Sequence, residues 1–166
     1  LKEREQALSL YRSALKIQTE RLVPDHWDTC RTHFRLGRTL AALKRYDEAE
    51  GHFRSSLAMH DAVRGRNASM AETMRHLGGT LVHLRRLDEA NAMYMEALEI
   101  VASPEADSAR IMTLIIRDVA ALFDTWSKPE EARLWRAQFE QRRAAEKAAT
   151  IDAAGDNPSA LPTTSP

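Results

Sequence analysis

The chain has 166 residues, enough for one domain with a core of its own, and its 43% hydrophobic and 29% charged residues give a globular balance rather than a disordered or membrane one. Lys and Arg number 24 against 24 Asp and Glu, so no overall field draws the chain to nucleic acid or an anionic membrane, and no apolar run reaches the roughly 20 residues of a membrane helix. The single cysteine, Cys30, cannot close an internal disulfide, which suits a reducing, cytoplasmic setting.

The first element, residues 1–22, begins without an initiator Met or a targeting pattern and reads as part of something longer. It has the layout of a second hairpin helix whose first helix is missing, and this predicts an uncapped apolar face with Leu10, Tyr11, Ala14 and Leu15. In the next stretch, Phe34, Leu36, Gly37, Leu40, Ala41 and Leu43 recur at helical spacing. A break near Arg45 separates this helix from another, in which Ala49, Phe53 and Leu57 stand four apart on one face. After a loop at 64–67 the layout returns, with a capping-box pattern at Ser69–Glu72, a break near Arg86, and Ala90, Tyr94 and Leu98 in series. Asp47 and Asp88 read as acidic helix starts. A third unit carries a second capping-box pattern at Ser127–Glu130 with Pro129 near its first turn. Pro24, Pro104 and Pro129 all fall at junctions. From 149 the composition turns to Gly, Pro, Ser and Thr, which predicts a disordered tail to 166.

These elements form a period. Ala49 to Ala90 is 41 positions, Ala90 to Ala132 is 42, and 42 before Ala49 stands Ala7. Twelve residues before each later alanine stand Gly37, Gly78 and Ala120; four residues after the first three stand Tyr11, Phe53 and Tyr94. A fixed spacing in the range of roughly 20–50 residues marks stacked repeats. Glycine inside a helix costs about 1 kcal/mol relative to alanine, so close helix packing is the compensation to expect at Gly37 and Gly78. The units are a half repeat at 1–22, full repeats at about 25–65, 67–103 and 105–148, and the tail at 149–166.

The anchors "LG" at Leu36–Gly37 and Leu77–Gly78, a large apolar residue three later, then alanine and an aromatic resemble the tetratricopeptide repeat. The ~42-residue period and "PDHWDT" at 24–29 resemble its longer, kinesin-light-chain type. The resemblance covers about residues 4–140 and implies an all-α, right-handed superhelical stack of antiparallel hairpins, acting as a non-catalytic protein-interaction module. "DTWSKPEEA" at 124–132 is also similar to the tetratricopeptide tails of bacterial serine/threonine protein kinases, which implies a place in a larger regulatory protein. Paired asparagines precede the apolar-small step in the kinesin-light-chain type and contact peptide backbones; here those places hold Phe34–Arg35, Arg75–His76 and Arg117–Asp118. Phe34, Arg38 and Gly79 stand where chaperone-binding members carry the Lys and Asn that grip a terminal carboxylate, which argues against that ligand. In the third unit Arg136 replaces the aromatic with Trp135 and Phe139 nearby, which suggests a shifted terminal helix capping the stack.

No catalytic or metal-ligand pattern stands out. The six histidines lack ligand spacing, Cys30 lacks a nucleophile signature, and "HLGGT" falls mid-helix without a phosphate-loop lysine. No cofactor is expected. The resemblance places Arg31, Phe34, Arg38 and Ala42, then Glu72, Arg75, Gly79 and His83, then Leu114, Arg117, Ala121 and Asp124 on the concave face. Arg31, Phe34, Arg38, Arg75, His83 and Arg117 are the candidate partner-binding residues, since guanidinium forks suit an acidic or phosphorylated segment and Phe34 offers an apolar anchor. The competing readings are that these arginines form a solvated, ion-paired face, and that the open end of the stack is a homo-oligomer contact.

Overall fold

The computed structural model describes residues 2–22, 26–63, 65–102 and 106–155. The described residues form seven helices, α1 (Lys2–Arg21), α2 (Trp27–Ala42), α3 (Tyr46–Val63), α4 (Ala68–His83), α5 (Leu87–Ile100), α6 (Ala106–Thr125) and α7 (Pro129–Gly155). There is no strand among the described residues. The hairpins α2–α3, α4–α5 and α6–α7 stack in chain order, and α1 packs on α2. The first helices α2, α4 and α6 touch in succession, whereas α3 and α5 do not pack against one another. The stack therefore curves, with the first helices gathered on the inside and the second helices fanned out. The junction prolines Pro24 and Pro104 and the tail segment 156–166 lie outside the described residues. Helix α7 continues to Gly155, past the boundary expected at 148.

The glycine anchors have a geometric cause. A Cβ placed on Gly37 would lie 2.7 Å from Cδ1 and Cε1 of Phe53, and one on Gly78 would lie 2.8 Å from Cε1 of Tyr94. Each ring rests directly on the backbone of the opposing helix of its own hairpin. The alanines Ala49, Ala90 and Ala132 are fully buried. In the third hairpin both partners change: Ala120 takes the glycine place, and Arg136 leaves the core for an ion pair with Asp124 across to α6. Trp135 packs half-buried against the core instead.

The turns inside the hairpins are also periodic. Lys44, Arg85 and Ser127 sit at φ 61°, 63° and 59°. The amides of Arg45, Arg86 and Lys128 donate back to the carbonyls of Leu40, Leu81 and Phe123 at 2.9, 3.0 and 2.9 Å. These are helix-ending motifs with a left-handed residue, built here without glycine. Two expected caps are replaced. Asn67, not Ser69, caps α4, its Oδ1 accepting from the amides of Ser69 and Met70 at 3.0 and 3.1 Å. Ser127 is held in the left-handed turn, two residues ahead of Pro129, the first residue of α7. Helix α2 is capped by His26, whose Nδ1 accepts from the Asp28 amide at 3.1 Å.

The glycine–ring contact gives a stability test. Alanine at Gly78 gains about 1 kcal/mol of helix propensity but drives its methyl into Tyr94, and overpacking of this kind costs about 1–3 kcal/mol. Gly78→Ala should therefore lower the urea midpoint. Combining it with Tyr94→Leu should recover part of the loss relative to Tyr94→Leu alone; equal penalties in both backgrounds would show that the ring does not set the spacing.

Candidate functional site

A pocket of about 660 Å³ opens along α2 between α1 and α4. Tyr11 from α1 and Trp27 and Phe34 from α2 give it aromatic walls, Cys30, Ser56 and His60 form a buried floor, and Arg4, Arg31, Arg35 and Arg38 stand around it with Glu3 and Glu72. Helical spacing explains the grouping: 27, 31, 34, 35 and 38 share one face of α2. Arg38 lies over the Phe34 ring at 5.5 Å, and Arg35 lies over the Tyr11 ring at 5.9 Å. Arg31 is tied to Asp28 in its own helix at 2.9 Å, and Arg4 donates to the carbonyl of Ala42 at 3.0 Å. Among the described residues neither Arg35 nor Arg38 meets a carboxylate. Burial pushes the Cys30 thiol up, and its Sγ donates to the carbonyl oxygen of Ser56 at 3.4 Å, which favours the neutral thiol.

Of the six candidates, the structure brings Arg31, Phe34 and Arg38 to this pocket and leaves Arg75, His83 and Arg117 outside it. Arg75 is mostly buried, at 12% side-chain exposure, and donates to Asp118 of α6 at 2.7 Å. Its second nitrogen meets Nε2 of His76 at 3.0 Å, an acceptor position for a neutral imidazole. Arg117 reaches Asp118 beside it at 2.8 Å, and His83 stacks on Tyr46 with ring centroids 4.3 Å apart. The ion-paired reading thus describes Arg31, Arg75 and Arg117, while Arg38 keeps its donors.

The same positions join neighbouring hairpins in a fixed register. Phe34 meets His76, 42 positions on, ring against ring at 5.4 Å. Arg75 meets Asp118, 43 positions on. Each inner helix thereby contacts the next through one residue and its near-repeat equivalent. His76 also stacks on Phe53 at 5.9 Å. Burial first, then the cations Arg75 and Arg38, hold its pKa down at about 3. Sequence reasoning missed the histidine contacts because they join residues remote in the chain: His33 and His52 face each other at 3.0 Å, and Trp27 meets His60 edge-on at 5.3 Å. On α1, Tyr11 and Leu15 pack half-buried against the core rather than facing outward, and Leu10 and Ile17 are the exposed large apolar residues of that helix.

The family model described as Tetratricopeptide repeat matches residues 1–62 and 28–103. The chain belongs to the tetratricopeptide repeat family. Its fold is similar to the crystal structure of BtubC (BKLC) from P. vanneervenii, with TM-score 0.81 and 19% identity over 99% of this chain and 63% of that one. The chain thus spans less than two thirds of that protein. It is also similar to kinesin-light-chain-type, nearly identical TPR-like repeats from Podosopora anserina. A crystal structure of a single-substitution variant of these repeats gives TM-score 0.73 at 16% identity over 87% of this chain and 69% of that one. Another structure of the repeats gives 0.70 at 17% identity over 86% and 68%. No curated protein matches the chain. Tetratricopeptide repeats generally mediate protein–protein interaction or scaffolding and are typically non-catalytic. Among the described residues no helix is long and apolar enough to cross a membrane.

Two measurements follow from the joints. Arg75→Glu replaces a buried pair with two facing carboxylates and should destabilise by about 3–5 kcal/mol; an unchanged urea midpoint would remove the Arg75–Asp118 pair from the joint. For His76, a folded pKa lowered from 6.5 to about 3 means that the neutral ring's contribution is complete above 6.5 and is lost as pH falls toward 3. The midpoint should therefore drop between pH 6.5 and 4, and His76→Gln should flatten that slope; an identical slope in the variant would contradict the assignment.

Proposed function

We propose that this tetratricopeptide domain recognises a partner protein through the pocket along α2, taking an acidic or phosphorylated segment that carries an apolar side chain. The observation that carries this reading is the juxtaposition of Arg38, which meets no carboxylate among the described residues, with the aromatic walls Tyr11, Trp27 and Phe34. Stacking on Phe34 orients the Arg38 guanidinium and leaves its edge donors for a carboxylate or phosphate fork. The pocket volume lies within the roughly 300–1,000 Å³ range of ligand sites, large enough for a side-chain anchor beside a charged group. The likeness of residues 124–132 to bacterial kinase tails supports a place in a larger cytoplasmic regulatory protein.

A second reading, self-association through the open end of the stack, is favoured by one observation: Leu10 and Ile17 on α1 are 70% and 55% exposed. Sedimentation velocity across a concentration series separates the two, since a monomer at high concentration rules out the second.

The first reading is tested by fluorescence polarisation against acidic, phosphorylated, neutral and basic peptides of matched length. Acidic or phosphorylated peptides should bind, and Arg38→Glu should weaken them by at least about tenfold, or 1.4 kcal/mol, with the helical content retained. Arg117→Glu, outside the pocket, should leave affinity unchanged. Equal affinity for acidic and basic peptides, or an Arg38→Glu protein that binds as well as the parent, would overturn the reading.

A further inference from the structure

We propose that His33 of α2 and His52 of α3 form a two-imidazole clamp for a divalent transition-metal ion, copper(II) foremost, that staples the first full hairpin. The two Nδ1 atoms lie 3.0 Å apart, with ring centroids at 5.2 Å and planes tilted by 44°. A metal–imidazole bond is about 2.0–2.1 Å long. Two nitrogens at right angles on one ion are therefore about 2.9 Å apart, whereas tetrahedral ligands stand about 3.4 Å apart. The observed separation fits the square-planar or tetragonal arrangement of copper(II) and nickel(II) better than tetrahedral zinc, and copper(II) is the stronger binder of the divalent series.

The chemistry balances without loss of a proton. In the free protein one Nδ1–H donates to the other Nδ1. On binding, the donating ring shifts its proton to Nε2, both rings turn about the Cβ–Cγ bond, and two lone pairs face the ion. Glu48 stands one helical turn before His52 and supplies the one nearby carboxylate; Arg45 at 2.6 Å and Arg12 of α1 at 3.2 Å hold it, and because these two guanidinium groups oppose a dication the ion is held by its nitrogen ligands rather than by the local field. Among the described residues no third His, Cys, Asp or Glu joins the pair, so water completes the shell. Both rings are only half-buried, which gives an ion and its waters access. This is the character of an exchangeable ion on a hairpin flank rather than a closed structural centre. Neither histidine lines the peptide pocket, and the inference stands independently of that reading.

The test is a titration of the full, untagged chain with copper(II) chloride, read by calorimetry and by electron paramagnetic resonance. One ion should bind per chain, with hyperfine coupling to two equivalent nitrogens, and the thermal midpoint should rise with added copper. His33→Gln and His52→Gln should each weaken binding at least as much as the ~10–100-fold that even supporting residues cost, while His83→Gln should leave it unchanged. Copper affinity that survives His52→Gln would overturn the proposal. Should either variant fold poorly, the parent spectrum decides alone: coupling to fewer than two nitrogens rules the clamp out.

Discussion

An aromatic ring pressed onto bare helix backbone is the contact on which the rest of this molecule depends. At Gly37 and Gly78 there is no room for a methyl group, because Phe53 and Tyr94 already occupy the space it would take. That approach sets the distance between the two helices of a hairpin, and the buried alanines one level away hold the same spacing from the other side. The third hairpin shows the dependence by exception. When the ring becomes Arg136, the glycine becomes Ala120, and the arginine turns outward to an ion pair.

Hairpins so fixed must still be joined, and the inner helices do this with polar and aromatic groups. Phe34 with His76, and Arg75 with Asp118, occupy equivalent places one repeat apart. A position that is available for ligand contact in a repeat protein is here used to lock the stack. The pocket lies at the N-terminal end, where α1 supplies Tyr11 and Arg4, and where Arg35 and Arg38 of α2 meet no carboxylate among the described residues. A buried charge pair contributes through geometry rather than through net energy, since its desolvation offsets much of its attraction.

The architecture was legible in the sequence because it is periodic. Alanine, glycine and aromatic residues at linked spacings report a helix–helix distance that repeats, and any one repeat confirms the others. The candidate site was legible only in part. The structure gathers Arg31, Phe34 and Arg38 around one pocket, whereas register gave Arg75 and Arg117 the same standing, because a one-dimensional pattern does not reveal which arginine meets a carboxylate in the next repeat. Asp118 lies 43 residues from Arg75, and no local rule links them. The caps failed for a related reason: several residues near a helix start can accept an amide proton, and the turn geometry chose Asn67 over Ser69. The histidines read as scattered because each partner lies on a different helix.

The outer helices do not pack on one another, and long side chains bridge them instead. Arg12 reaches Glu48 from α1 to α3, and Glu50 with Arg54 reaches Arg86 and Glu89 from α3 to α5, at 2.7–3.4 Å. Most of these groups are substantially exposed, so dissolved ions weaken their attraction, whereas the mostly buried Arg75–Asp118 bond on the inner edge is shielded from the same ions. The two rims of the stack thus differ in compliance. The arrangement resembles a bimetallic strip: added salt is expected to relax the outer side before the inner, and so to act on the curvature of the stack before its core.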